Sequence, residues 1–298
     1  MQFASSAAKA ELLIGLTDGN QLVRFESTAP QTILGNAQIT GVQTGESILG
    51  IDLRPATGQL YGYGSTSRLY TINVLTGVAT EVGSGPFMPP GDGVTHGFDF
   101  NPAVARIRLV RNANRNLQLH QDTGQVVAVD GPLAYVMGDT NFGVDPTVTG
   151  SAYINNFPGT MTTTLFGIDS GLNILVRQDP PNAGGLVTIG SLGLPFSVDG
   201  RNGFDVSGLT GIAYAAFINP LVAESSLFTI NLATGAATQI GSTPIGGINS
   251  GIILRGLTAA VIPEPSSFAL LGIGGQPALL CPSPPSRLSC SGSHTPAG

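Results

Sequence analysis

Residues 69–84 read LYTINVLTGVATEVGS, and residues 227–242 read LFTINLATGAATQIGS. Ten of the sixteen positions are identical, and most of the others are conservative exchanges. Each copy reads as strand, tight turn, strand. Leu69, Thr71 and Asn73 alternate with Tyr70, Ile72 and Val74, the period of two that an extended chain produces. Thr76-Gly77 and Thr234-Gly235 supply the turns, because glycine accepts the positive φ that other residues resist. A supersecondary unit that recurs within one chain points to a repeat architecture.

Working outward from these hairpins, each unit opens with a strand reading Gly-apolar-Asp: Gly50-Ile51-Asp52, Gly97-Phe98-Asp99 and Gly203-Phe204-Asp205. Second strands follow at residues 60–63, 106–110 and 212–216, and the third and fourth strands flank the turn. Residues 152–191 supply a further unit. The N-terminal segment has three strands and lacks a first one, while residues 252–257 are a strand to spare. Pairing that strand with the N-terminal three completes a fifth unit, closes a ring and hides two sheet edges. Units starting near residues 50, 97, 152, 203 and 255 recur about every fifty residues, the length of a four-stranded propeller blade. The expected fold is all-β, a β-propeller of about five four-stranded blades closed by its own termini. A β-sandwich or β-solenoid is the alternative.

Composition agrees. Only 10% of residues are charged, Gly accounts for 42 of 298, and there is one lysine, Lys9. Low charge with abundant glycine suits short strands joined by tight turns and is the opposite of a disordered composition. The net charge of −6 argues against a nucleic-acid partner, which needs clustered Lys and Arg. The only local basic run is Arg106, Arg108, Arg111 and Arg115. Because Arg106 and Arg108 alternate along one strand, a solvated or partner-facing face is expected there. Cys281 and Cys290 both lie in the C-terminal tail, so the body carries no disulfide.

The segments GIDLRPATGQLYGYGSTSRLYTINVLTGVATEVG, GFDFNPAVARIRLVRNANRNLQLHQDTGQVVAVDG and TTLFGIDSGLNILVRQDPPNAGGLVTIGSLG resemble the bacterial extracellular domain-of-unknown-function family 4394. The resemblance runs from about residue 12 to 257 and implies a propeller-like fold on a secreted protein. It brings no established activity and no catalytic residues.

The two ends carry export-like features. Residues 1–10 end in Ala8-Lys9-Ala10, the spacing of a signal peptidase site, and read as a signal-peptide remnant or a flexible terminus ahead of a propeller domain at 11–260. Pro263-Glu264-Pro265, followed by Ser-Ser and an Ala/Leu/Gly run over 261–274, is similar to the start of a PEP-CTERM sorting signal, which implies processing by an exosortase. Gln276-Pro277 breaks the apolar run after about ten residues, half of what a membrane span needs. Residues 275–298 then turn abruptly to Pro, Ser and Cys. A composition break inside a motif is what a reading-frame shift produces. The tail is therefore expected to be out of frame and disordered, and the protein to lack a stable anchor.

Two clusters invite a chemical reading. Asp139, Asn141 and Asp145, in GDTNFGVD, place oxygen ligands at alternate positions, as a calcium loop would. The glycine at position six and the later glutamate of an EF-hand are missing, and an Asx-turn loop between blades is the competing reading. Asp52, Asp99 and Asp205 recur at one blade position near the central channel. They would form either an acidic ring for a cation or polyol, or buried structural groups bonded to backbone amides of the next blade; repetition across blades favours the second. No HxH, HExxH, CxxC or GxSxG pattern is present. The expected function is that of an exported, non-catalytic module binding a polymer or protein at the cell surface or in the extracellular matrix. The alternative is a propeller hydrolase or lactonase with a metal in the central channel.

Overall fold

The computed structural model describes residues 10–90, 96–111 and 114–260. The chain opens with β1 (Leu12–Thr17), β2 (Gln21–Glu26) and β3 (Ile33–Gln38). The first complete blade is β4 (Ile48–Leu53), β5 (Leu60–Gly64), β6 (Leu69–Ile72) and β7 (Ala79–Val82). The second is β8 (His96–Asn101), β9 (Arg106–Arg111), β10 (Asn116–His120) and β11 (Val126–Val129). The third is β12 (Ala134–Tyr135), β13 (Val148–Tyr153), β14 (Leu165–Asp169), β15 (Ile174–Gln178) and β16 (Gly185–Ser191). The fourth is β17 (Gly203–Val206), β18 (Ala213–Asn219), β19 (Glu224–Ile230) and β20 (Ala237–Gln239), and β21 (Leu254–Ala259) follows.

Each blade is an antiparallel meander, and the inner strands β4, β8, β13, β17 and β21 pack successively until β21 returns against β4. This is a five-bladed β-propeller. The ring closes as the sequence implied: β21 pairs antiparallel with β1, Leu13 opposite Ala259 and Gly15 opposite Leu257. The closing strand lies two residues further along than residues 252–257. The third blade's inner strand begins at Val148 rather than near 152, because Gly150-Ser151-Ala152 lacks the aspartate that marks its counterparts. That blade also carries a fifth strand, β12, which pairs parallel with β16.

Apolar side chains fill the spaces between blades. Ile14, Leu16, Ile48, Ile51 and Leu60 pack between the closing and first blades, and Tyr61, Tyr63, Phe98, Phe100 and Leu117 between the first and second. The tyrosines are core, as the sequence implied. Each such side chain removed from water contributes about 1.5–3 kcal/mol.

The basic run is placed otherwise than expected. Arg108 is buried, not solvated. It pairs with Asp130 and donates to Asn116 Oδ1 at 2.7 Å, to Asn182 Oδ1 at 2.7 Å and to Tyr153 Oη at 3.2 Å. Asn182 and Tyr153 belong to the third blade, so the guanidinium joins two blades. A buried guanidinium needs partners that satisfy both its charge and its donors, and this polar set supplies them. Arg111 is buried as well. Residues 1–9 of the signal-peptide-like stretch, the sorting-signal residues Pro263, Glu264 and Pro265, and the tail at 275–298 lie outside the described residues.

Candidate functional site

The Gly-apolar-Asp motif acquires its meaning at the propeller axis. On an extended strand, residues two apart share a face. The glycine and the aspartate of one inner strand therefore both turn toward the next blade. A Cβ on Gly50 would lie 2.9 Å from Phe98 Cβ, one on Gly97 2.2 Å from Ser151 Oγ, and one on Gly203 2.4 Å from Leu257 Cβ. Only glycine lets adjacent inner strands approach this closely. The intervening residue faces backward and covers the glycine of the preceding blade.

The aspartates complete the junctions. Asp52 Oδ2 accepts from Phe100 N at 2.8 Å, Asp99 Oδ1 from Tyr153 N at 3.1 Å, and Asp205 Oδ2 from Ala259 N at 2.6 Å. In every case the donor is the amide that follows the equivalent position one blade on. Asp52 Oδ1 also accepts from Leu53 N at 2.7 Å and from Thr258 Oγ1 at 3.0 Å, and Asp205 Oδ1 from Val206 N at 2.6 Å. Thr258 occupies the closing blade's counterpart of the aspartate position. The third blade has Ala152 there.

These bonds bring the three carboxylates together. One oxygen from each of Asp52, Asp99 and Asp205 lies within 4.8 Å of the others, and all three residues are only 1% exposed. Burial, then the neighbouring Asp205, holds the Asp52 carboxyl well above the ordinary carboxylate range. Burial, then Asp52 and Asp205, does the same for Asp99. Burial pushes Asp205 up to about 6 against the pull of the Ala259 amide. Among the described residues no arginine or lysine pairs with any of the three.

Two residues back along the same strands lies a cavity, with an empty volume of about 240 Å³ that includes its open part. Gly50, Gly97, Gly150, Gly203 and Gly256 ring it, one from each blade. His96, Asn202 and Arg255, each immediately before one of these glycines, also line it. The His96 ring meets Tyr63 edge-on, with centroids 5.0 Å apart. Arg255 donates to the Asp18 carbonyl at 3.2 Å. Ser151 Oγ and Asn202 Oδ1 are buried without a hydrogen-bond partner. The sequence reading passed over Thr258, Ser151, Asn202 and Arg255. Aligning Gly256-Leu257-Thr258 and Gly150-Ser151-Ala152 on their glycines would have found the first two.

The candidate calcium loop is distributed over two partners. Asp139 accepts from Thr188 N and Thr188 Oγ1, both at 2.7 Å, and from Asn141 N at 2.9 Å. Asn141 Nδ2 donates to the same threonine oxygen at 2.9 Å. Asp145 instead accepts from Asn114 Nδ2 at 2.5 Å, across in the second blade. His120 is distant from the axis on β10, where Nδ1 accepts from Asp122 N at 3.1 Å.

A family model described as a domain of unknown function (DUF4394) matches residues 21–256. No curated protein matches the chain. Among solved structures, a glutaminyl cyclase from Myxococcus xanthus resembles it with 13% identity and a TM-score of 0.40, over 77% of this chain and 76% of that one.

Proposed function

The chain belongs to the DUF4394 family, and from that premise we propose that it is an exported, non-catalytic propeller that binds a polymer or protein partner at the cell surface or in the extracellular matrix. The observation that carries the non-catalytic reading is the state of the three axial aspartates. Each is committed to an amide of the next blade and is 1% exposed, so none presents an oxygen to a substrate. The adjoining cavity falls below the roughly 300–1,000 Å³ of pockets that enclose organic ligands. A hydrolase or lactonase with a metal in the channel needs a substrate pocket beside the metal, and the small adjoining cavity does not supply one.

The turns between first and second strands emerge at one end of a propeller. In the second, third and fourth blades they carry exposed Val104, Phe157, Met161 and Leu209. Apolar side chains on neighbouring loops suit a partner better than solvent. Export is supported by Ala8-Lys9-Ala10 and by Pro263-Glu264-Pro265. The test uses cosedimentation of the purified chain with cell-envelope polysaccharide and with isolated surface proteins. The double variant Phe157→Asp, Met161→Asp should weaken binding about tenfold or more without changing Tm. Metal-dependent hydrolysis of esters or lactones that Asp99→Asn abolishes would overturn the non-catalytic reading.

A further inference from the structure

We propose that Asp52, Asp99 and Asp205 together hold one hard cation of calcium size on the propeller axis, with water completing its shell on the side that faces the glycine-ringed cavity. Two independent observations meet here. The first is convergence: three carboxylate oxygens lie within 4.8 Å of one another, and no cationic side chain among the described residues pairs with them. Every hydrogen bond these carboxylates make is one they accept, from Leu53, Phe100, Tyr153, Val206 and Ala259 amides and the Thr258 hydroxyl. Asp52 Oδ1 already accepts twice, but each of the three carboxylates keeps at least one oxygen with a lone pair for a metal. Three carboxyl groups this close in a buried site either keep protons or are matched by a cation, and a bound cation would displace those protons.

The second observation comes from the cavity. Ser151 and Asn202 are 2% and 3% exposed, line the cavity, and leave Oγ and Oδ1 without a protein partner. Buried oxygens of this kind are what ordered water satisfies. The amide of Asn202 is oriented by its other end, because Nδ2 donates to Thr149 Oγ1 at 2.7 Å, so it is the carbonyl oxygen that lacks a partner. Ser151 immediately precedes Ala152, the one small residue in the aspartate ring, where an ion would have its uncovered side.

Ion identity follows from size and charge. Two Ca–O bonds of 2.3–2.6 Å span roughly 4.6–5.2 Å, which accommodates oxygens that lie within 4.8 Å of one another. Calcium takes six to eight oxygens, so three carboxylates leave places for water. Arg255 lines the same cavity and opposes a cation at the glycine level. The ion therefore belongs deeper, about 6.6 Å along the strands, at the carboxylates. The role is structural: a pin through the hub where all five blades meet.

The purified full chain is loaded with calcium, passed into metal-free buffer at about pH 7.5, and analysed for bound metal. Melting is then followed in EDTA and in calcium. About one equivalent should remain bound, and calcium should raise Tm by several degrees over EDTA. Asp99→Asn should retain less than about a tenth of that metal and lose the calcium-dependent shift, whereas Asp145→Asn should keep both. Wild-type protein that retains no calcium and melts identically in EDTA and calcium overturns the proposal. So does loss of the metal in Asp145→Asn, which would place the ion in the loop between the second and third blades. Because the test reads metal content and melting, its outcome is independent of whether the protein has a catalytic activity.

Discussion

The Asp205 carboxylate accepts the Ala259 amide proton at 2.6 Å, and Ala259 stands opposite Leu13 in the sheet that joins the two ends of the chain. A single side chain on the fourth blade thus holds the strand that closes the ring. Asp52 and Asp99 repeat the device at the next two junctions in the ring that carry an aspartate. The shared cost is mutual repulsion at the axis, and the balance between amide capture and repulsion is set by protonation.

Asp205→Ala should therefore destabilise the fold most in acid. It leaves the buried Ala259 and Val206 amides without an acceptor, a loss of about 1–3 kcal/mol. Near pH 8 the same substitution also removes a charge that repels Asp52, which offsets part of the loss. Urea unfolding at about pH 4.5 and pH 8, with EDTA present, measures both. An equal loss at the two pH values would mean that repulsion is negligible.

The metal-stripped protein should become less stable as pH rises above about 4. The Asp205 carboxyl titrates near 6 when folded and at an ordinary 3.8 when unfolded. Between those values the folded chain keeps a proton that the unfolded chain has released, so unfolding becomes easier with rising pH. Asp52 and Asp99, displaced in the same direction, add to the decline. Asp139 and Asp199 are displaced downward, and their contribution is lost only as pH falls below about 3.8, outside this window. Chemical denaturation from pH 4 to 8 should show a fall on the order of a few kcal/mol; stability that rises across that range would refute it.

The turn glycines should prove less replaceable than a surface hairpin implies. Gly77 and Gly235 have φ of 73° and 84°, as expected of their turns. A Cβ on Gly77 would also lie 2.1 Å from the Gln38 carbonyl oxygen, and one on Gly235 2.4 Å from that of Gly190. Both carbonyls belong to the preceding blade. Gly77→Val or Gly235→Val therefore adds a clash between blades to the backbone strain. A loss of more than about 1–2 kcal/mol is expected for each in thermal or urea unfolding. Gly77→Ala should also destabilise, by more than the roughly 1–2 kcal/mol that left-handed backbone strain alone costs.

Arg108→Ala should be among the most damaging single changes. It leaves the Asp130 carboxylate without its cation, held only by the Gln118 side-chain amide, and removes the donors to Asn116 and Asn182. Breaking one partner of a buried pair costs about 3–5 kcal/mol. Arg108→Met, which fills the space without charge, pairs informatively with Asp130→Asn: if the double change recovers most of the loss, the stranded charge was the cause.

The blades were legible because their signals are local. The repeated hairpin, the Gly-apolar-Asp spacing and the surplus terminal strand each follow from one stretch of sequence. The convergence at the axis was only half legible. Recurrence of Asp52, Asp99 and Asp205 showed that they occupy one position, but their separation depends on how tightly five strands close, which the glycines set through contacts in other blades. Arg108 was misplaced for a related reason. Alternation on a strand fixes which face a residue takes, and in a propeller both faces of a blade are covered by neighbours. What lies opposite, here Asn182 and Tyr153, comes from residues 45 to 74 positions away.

Deleting residues 250–260 tests the closure itself. The truncation removes β21, so the edge of β1 loses the partners that run from Ala259 to Leu254. It also strips the Ala259 amide from Asp205 and the Thr258 hydroxyl from Asp52, and uncovers Gly203, which packs against Leu257. An exposed strand edge beside an opened core is a template for intermolecular pairing. The truncated chain should aggregate or lose its single cooperative transition, read by light scattering alongside circular dichroism melting. Adding back residues 250–260 as a synthetic peptide should restore solubility if the defect is the missing strand, since the peptide supplies the pairing partners of β1. A truncated chain that stays monomeric and melts like the full one would show that the propeller does not depend on its own closing strand.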